Sequence, residues 1–226
     1  MTINKQSYWK KILFFDDYFK SSVLKNRKYF YNYFLRNISF DKQSTVLDVG
    51  TTPSLDQHEN FFIYSYPYKN NITCLSNVDC SAINQKFKYL KFLIKDAKNS
   101  NLKDNSFDIV HSNAVIEHVG NFNEQKKFLK ECIRISKKQI FITTPYRFFP
   151  IEMHTKIPFI HFLPKNLFRN ILKIFGENFF SHEKNLNLLS IKEVETMVNQ
   201  LSIRNFKIIR HKYFFFISNL IIVINK

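Results

Sequence analysis

Glycine, alanine and cysteine are all scarce in this chain: three of each among 226 residues, with a single tryptophan. The cysteines, Cys74, Cys80 and Cys132, are odd in number and contain no Cys-x-x-Cys pair. Neither a disulfide framework nor a zinc ribbon is therefore indicated, and a reducing cytoplasm fits. Acidic side chains are also few, 18 against 34 Lys and Arg, for a net charge of +16. Met1 to Lys11 is polar, without the apolar core of a signal peptide. The longest late apolar run, Tyr213 to Ile224, is interrupted by Ser218 and Asn219. It falls short of the ~20 apolar residues that a membrane span requires, so it reads as a buried strand with a turn or bulge.

What is abundant is aromatic: 26 Phe and 11 Tyr, within a hydrophobic fraction of 45%. That fraction is enough for a sizeable core, and the length fits one domain spanning 1–226, with room for a small subdomain. Plentiful Lys, Asn, Ile and Phe with little Gly and Ala fits AT-rich codon usage, which would make Lys the default surface residue. The lysines are scattered rather than blocked. Nucleic acid, which a basic chain ordinarily raises as a partner, is therefore not expected.

Val46-Leu-Asp-Val-Gly50 reads as a buried strand (44–49) that runs into a tight turn at Gly50. Ahead of it, Tyr8, Ile12, Phe15, Phe19, Phe30, Tyr33 and Phe34 recur at helical spacing, predicting one or two amphipathic helices over 5–37, a helical cap within 1–40. After it come a helix over 54–65, strands at 72–75, 89–94, 106–111 and 139–143, a weak helix at 81–89 and a strong one at 123–135. Such alternation implies βαβ units and a mostly parallel sheet. Residues 145–189 break it with a segment rich in Pro, aromatics and His, long enough to be functional in its own right. Ser190 with Glu193 opens a helix over 190–200 by a capping box. Two strands, 203–211 and 213–224, close the chain as a hairpin.

These residues resemble the class I S-adenosylmethionine-dependent methyltransferases, most strongly over 44–145. Val46-Leu-Asp-Val-Gly50 resembles the family's first motif, and Ile94-Lys-Asp-Ala97 the position that meets adenine. Leu102 to Val110 and His111-Ser-Asn-Ala-Val-Ile-Glu-His118 resemble its fourth strand and the segment after it. Thr143-Thr-Pro-Tyr-Arg-Phe-Phe-Pro150 resembles the end of strand five. The resemblance implies a doubly wound, Rossmann-like α/β fold: a seven-stranded, mostly parallel sheet with an antiparallel C-terminal strand, N-terminal helices and an insertion after strand five. It further implies S-adenosylmethionine as cofactor, held by Asp48, Gly50, Thr52, Ser76, Asp96, Ala97 and Ser112. Two family features are replaced. Thr52 and Ser54 stand where later glycines would be. Ser76 or Asn77, with Asp79 slightly beyond, stands where strand two usually ends in an acid.

Methyl transfer to oxygen is helped by a base, and His118 and His154 are the candidates. Arg147, Glu152 and His161 are the residues expected to meet a substrate, Arg147 because a guanidinium fork suits an acidic group. Glu117-His118 also suits a metal ion. With Asn113 rather than a further carboxylate nearby, and His154 and His161 off the i, i+4 spacing of a helical zinc motif, no metal is expected. The expected acceptor is a small molecule, a glycan or a lipid precursor, with a homodimer also compatible. Two alternatives stay open. One is a non-catalytic binding protein on a degenerate methyltransferase fold. The other is a nucleic-acid methyltransferase, against which the missing Asn/Asp-Pro-Pro-aromatic loop and catalytic Cys speak. A nicotinamide-dependent dehydrogenase is set aside, since Asp48 to Ser54 lacks Gly-x-Gly-x-x-Gly.

Overall fold

A computed structural model describes residues 13–226. Tyr8 and Ile12, read as part of the N-terminal helical pattern, lie outside the described residues, as do the side chains of Phe15 and Phe19. Helix α1 (Leu13–Asn37) leads into a seven-stranded sheet. In chain order its strands are β1 (Val46–Val49), β2 (Ile72–Ser76), β3 (Lys91–Ile94), β4 (Phe107–Asn113), β5 (Ser136–Pro145), β6 (Phe206–Tyr213) and β7 (Phe216–Asn225). Their spatial order is β3-β2-β1-β4-β5-β7-β6. β1 to β5 pair in parallel, and β7 enters antiparallel between β5 and β6. This is the doubly wound sheet with an antiparallel terminal strand that the sequence predicts.

The strands are apolar on both faces because helices cover both. Side chains alternate along a strand. Leu47, Val49, Val110, Ile140 and Ile142 therefore point to one core, shared with α4 (Phe122–Ile135) and α6 (Ile191–Gln200). Val46, Ile109 and Phe141 point to the other, shared with Phe30 and Phe34 of α1 and with Phe62 and Ile63 of α2 (Phe61–Ser65). The edge strand β3 is only partly covered, and its Lys91 is exposed, a charge of the kind that discourages edge pairing. Ser190 and Glu193 form the expected capping box on α6.

Two elements differ from the sequence reading. The helix expected over 54–65 begins only at Phe61. Ser54 and Asp56 accept the amides of Asp56 and His58 with their own side chains, which holds 54–60 in turns. The weak helix after β2 stops at Lys86, making α3 (Ser81–Lys86). Within 145–189, α5 (Lys165–Ile174) packs Phe168 and Leu172 against Ile157, Leu186 and Leu188 in a small core of its own. No helix among the described residues is long and apolar enough to cross a membrane.

The strand order reverses between β1 and β4: β2 and β3 wind off one side, β5 off the other. In open α/β sheets the crevice at the carboxyl ends of the strands beside such a switch point is where ligands bind. Here that crevice lies above Asp48 to Gly50 and Ser112 to Asn113.

Candidate active site

Gly50 leaves β1 with φ +95°, and its amide donates to the Leu75 carbonyl at 2.8 Å. A Cβ at this position would sit 2.1 Å from Val115 Cγ2. Only glycine lets the β1 turn and the loop after β4 come this close. Asp48, just before it, is buried and spends both carboxylate oxygens inside the protein. Oδ1 meets His111 Nδ1 at 2.6 Å, and Oδ2 accepts the Thr51 hydroxyl at 3.0 Å. The His111 ring stacks on Phe62, with centroids 3.8 Å apart. Asp48 is thus first a partner of His111, a pairing between β1 and β4 that no local motif announces.

The loop that lacks the family's later glycines is held by one buried side chain, Asn60. Its Oδ1 accepts the Thr52 amide at 3.0 Å, and its Nδ2 donates to the carbonyls of Thr52 (3.0 Å) and Ser54 (2.8 Å). The Thr52 hydroxyl turns outward to Glu59 Oε2 at 3.1 Å. No sequence motif singles out Asn60. Its position just before a run of aromatics gives little to find it by.

A cavity of about 680 Å³ opens at the ends of β1, β2 and β3. Gly50, Thr52, Ser76, Asn77, Asp96 and Ala97 are on its walls. Its size falls within the 300–1,000 Å³ of small-molecule sites. The Asp96 side chain is 58% exposed there, its Oδ1 accepting the Lys98 amide at 2.9 Å. Lys98 bridges it to Glu124, at 3.8 Å and 3.1 Å. At the tip of β2, Ser76 Oγ accepts the Val78 amide, while Asp79 accepts the Ser81 amide at the start of α3 and is off the cavity wall. Ser112 is also off the wall: fully buried, it donates to the Val49 carbonyl at 3.1 Å.

A second cavity of about 650 Å³ adjoins the first at Ala114, which lines both. Ala114 itself is held at φ +55°. This cavity lies between α1 (Asn26, Arg27, Phe30), the end of β5 (Pro145) and the insertion (Phe149, Met153, His154). His118 lines the first cavity and His154 the second, and their rings meet edge to face with centroids 4.8 Å apart. The structure thus brings together two histidines that the sequence could name only separately. His118 Nδ1 faces the Asn185 carbonyl at 2.7 Å, so that nitrogen carries the proton and Nε2 the lone pair. His154 Nδ1 faces Glu152 Oε1 at 2.6 Å. Burial disfavours a charged His154, but the Glu152 contact outweighs it and raises the His154 pKa. Burial likewise pushes Glu152 up, yet its bonds to His154 and to the amides of His154 and Thr155 bring it down to about 2.

The other residues expected to meet a substrate face the insertion instead. Glu152 is buried behind His154. His161 is buried, with Nε2 on the Phe149 carbonyl at 2.6 Å, away from both large cavities. Arg147 donates to the His161 carbonyl at 3.3 Å and to the Leu163 carbonyl at 2.9 Å, so its fork fastens the insertion.

Residues 71–142 match a family model described as a methyltransferase domain. No curated protein matches the sequence. Among solved structures, the YcgJ protein of Bacillus subtilis superposes with a TM-score of 0.59 at 12% identity, over 88% of this chain and 98% of that one. The CurJ carbon methyltransferase gives 0.56 at 8%, over 84% of this chain and 50% of that one. A Haemonchus contortus phosphoethanolamine N-methyltransferase, solved with phosphomonomethylethanolamine and S-adenosylhomocysteine, gives 0.53 at 14%, over 77% and 36%. The chain thus spans about half the length of the second of these proteins and little more than a third of the third. At such identities these likenesses show the fold. The matched segment makes residues 71–142 similar to a methyltransferase domain, carried here on the same fold as these structures.

Proposed function

We propose that this protein transfers a methyl group from S-adenosylmethionine to an oxygen of a small-molecule, glycan or lipid-precursor acceptor held in the second cavity. The observation that carries the proposal is the meeting of two cavities at Ala114, with His118 on one wall and His154 on the other. The first cavity fits the cofactor: Gly50, where a Cβ would strike Val115, lets the β1 turn and the loop after β4 close up on its wall, and an accessible carboxylate, Asp96, is on the same wall. When bound, S-adenosylmethionine supplies an electrophilic methyl on a sulfonium.

The protein's own part is orientation, exclusion of water and handling of one proton. Asp96 and the neighbouring backbone at Ala97 would receive the adenine, and the Gly50 turn the amino-acid end. The second cavity would set the acceptor hydroxyl near the Ala114 junction. His118 and His154 each have Nδ1 engaged, which leaves Nε2 of either ring to take the hydroxyl proton. Segment 145–189 would act as the acceptor-side wall of a single domain.

The test is mass spectrometry of the purified protein for co-purified S-adenosylmethionine or its demethylated product, followed by calorimetry with each. Micromolar binding that falls at least tenfold in Asp96→Ala supports the reading. Absence of binding at millimolar cofactor would favour a non-catalytic binding protein, the reading that the Ser76 tip of β2 suggests. His118→Gln then tests the proton step: turnover within a few-fold of the native protein would remove that role.

A further inference from the structure

One carboxylate in this site lacks the partner that its burial demands. Glu117 follows β4, and its side chain is fully buried. Its Oε2 accepts the Thr144 hydroxyl at 2.9 Å, but Oε1 has no hydrogen-bond partner. A buried anionic oxygen left unpaired is costly, on the order of several kcal/mol, and calls for a cation or a donor. Around it stand His118, whose Nε2 is 3.9 Å from Oε1, and His154. One ligand atom from each of Glu117, His118 and His154 lies within 4.8 Å of the others.

The two imidazoles are also oriented as metal ligands are. A ligating His characteristically donates its second ring N–H to a carbonyl or carboxylate, which fixes the tautomer and turns the lone pair to the ion. His118 has the Asn185 carbonyl behind it and His154 has Glu152. In both rings the nitrogen left over is Nε2. We propose that Glu117, His118 and His154 bind one divalent transition ion of the zinc type. Two imidazoles and one carboxylate, with the remaining positions open, is a recognised donor set for such ions. The present separations, up to 4.8 Å, exceed the roughly 3.4 Å between ligand atoms that bonds of about 2.1 Å imply at a tetrahedral centre, so binding draws the three groups together. His118 lines the first cavity and His154 the second, so the cluster is reached from both.

The inference rests on the methyl-transfer reading for its role, though not for its existence. It moves the imidazole lone pairs from the acceptor's proton to the ion. A hydroxyl bound at the open side is acidified and releases its proton to solvent. The new O–CH3 bond forms at that oxygen as the S–CH3 bond breaks, and the bonding pair stays on sulfur. The sequence reading expects no metal because it sought a third ligand near Glu117-His118, whereas the fold brings His154 from the insertion.

The experiment is calorimetric titration of chelator-treated, untagged protein with Zn2+ alone, with metal content after dialysis measured in parallel. One equivalent should bind. Affinity should fall at least tenfold in Glu117→Gln, His118→Gln and His154→Gln, and about ten- to a hundredfold in Glu152→Gln, which only orients His154. His161→Gln, away from the cluster, should retain the native affinity. Melting curves identify any variant that has failed to fold, and the remaining variants decide. No saturable binding, or binding that His118→Gln and His154→Gln leave intact, overturns the site. A parallel titration with S-adenosylmethionine separates the readings: cofactor binding without Zn2+ binding refutes the site alone, and Zn2+ binding without cofactor binding refutes methyl transfer alone.

Discussion

Gly50→Ala is the most informative single change, because one methyl group tests both the turn geometry and the cavity. The new Cβ would lie 2.1 Å from Val115 Cγ2 and 3.3 Å from Val115 Cβ, at a residue with φ +95°. Positive φ costs a non-glycine residue about 1–2 kcal/mol. Forcing an extra carbon into packed surroundings costs about 1–3 kcal/mol more. Together these come to about 2–5 kcal/mol, which for a chain of this size lowers the melting temperature by roughly 5–15 °C. Val115 also lines the first cavity, so the movement that relieves the clash displaces its wall. Calorimetry should show S-adenosylmethionine affinity reduced at least tenfold. Val115→Ala in the Gly50→Ala background removes the clash but not the backbone strain, so it should restore part of the stability and much of the binding. A double-mutant cycle isolates that coupling, expected at about 1–3 kcal/mol for residues in contact. If Gly50→Ala melts and binds like the native protein, or if Val115→Ala rescues nothing, the close approach inferred at this turn is wrong.

Three further outcomes follow from buried polar groups. Asn60→Ala releases the amide of Thr52 and the carbonyls of Thr52 and Ser54, and should cost about 1–3 kcal/mol in chemical denaturation while weakening cofactor binding. Gln125→Leu removes a buried amide whose Nε2 donates to the Ile116 carbonyl at 3.0 Å and the Asn187 carbonyl at 2.7 Å. Limited proteolysis should then cut within 145–189 faster than in the native protein. Burial pushes the Glu131 carboxyl up, but Arg134 and Ser100 outweigh it and bring its pKa from 4.5 to about 2. A pKa depressed in the folded state gives stability that is present above about 4.5 and is lost as pH falls towards 2, a contribution of about 2–3 kcal/mol. Melting temperatures of Glu131→Gln should therefore decline less between pH 5 and pH 2 than those of the native protein, and equal declines would contradict the assignment.

What could be read in advance was what is written locally. The β-branched runs of β1, β2 and β4 carry their own burial pattern, and Ser190-x-x-Glu193 carries its own cap. The strand alternation then dictates the sheet. Partnerships across the sheet were not legible, because nothing near Asp48 marks His111, 63 residues away, as its partner. Nor does anything near Ser112 show that its hydroxyl will cap a β1 carbonyl rather than reach the cavity. The insertion misled for a related reason. Arg147 and His161 look like substrate ligands by residue type, yet an excursion that adds no strand to the sheet has many backbone carbonyls to satisfy, and these two side chains satisfy three of them.

The same accounting explains how the excursion comes to be part of the site at all. Asn187, near its end, donates its backbone amide to the Glu117 carbonyl at 2.7 Å and its side-chain amide to the Gly120 carbonyl at 3.1 Å. Gln125 returns from α4 to hold the Asn187 carbonyl, and Lys165 ties the Asn187 side chain to Glu193 at the start of α6. Both amide residues are buried, so these bonds operate away from water and leave little slack. The segment that supplies His154 is therefore fastened to the very turn that supplies Glu117 and His118. On the proposed reading, a change of acceptor would be written into the exposed parts of 145–189, whereas a change at Asn187 or Gln125 would move the histidines relative to each other. The insertion and the turn after β4 thus meet at one hydrogen-bonded joint, centred on Asn187 and Gln125.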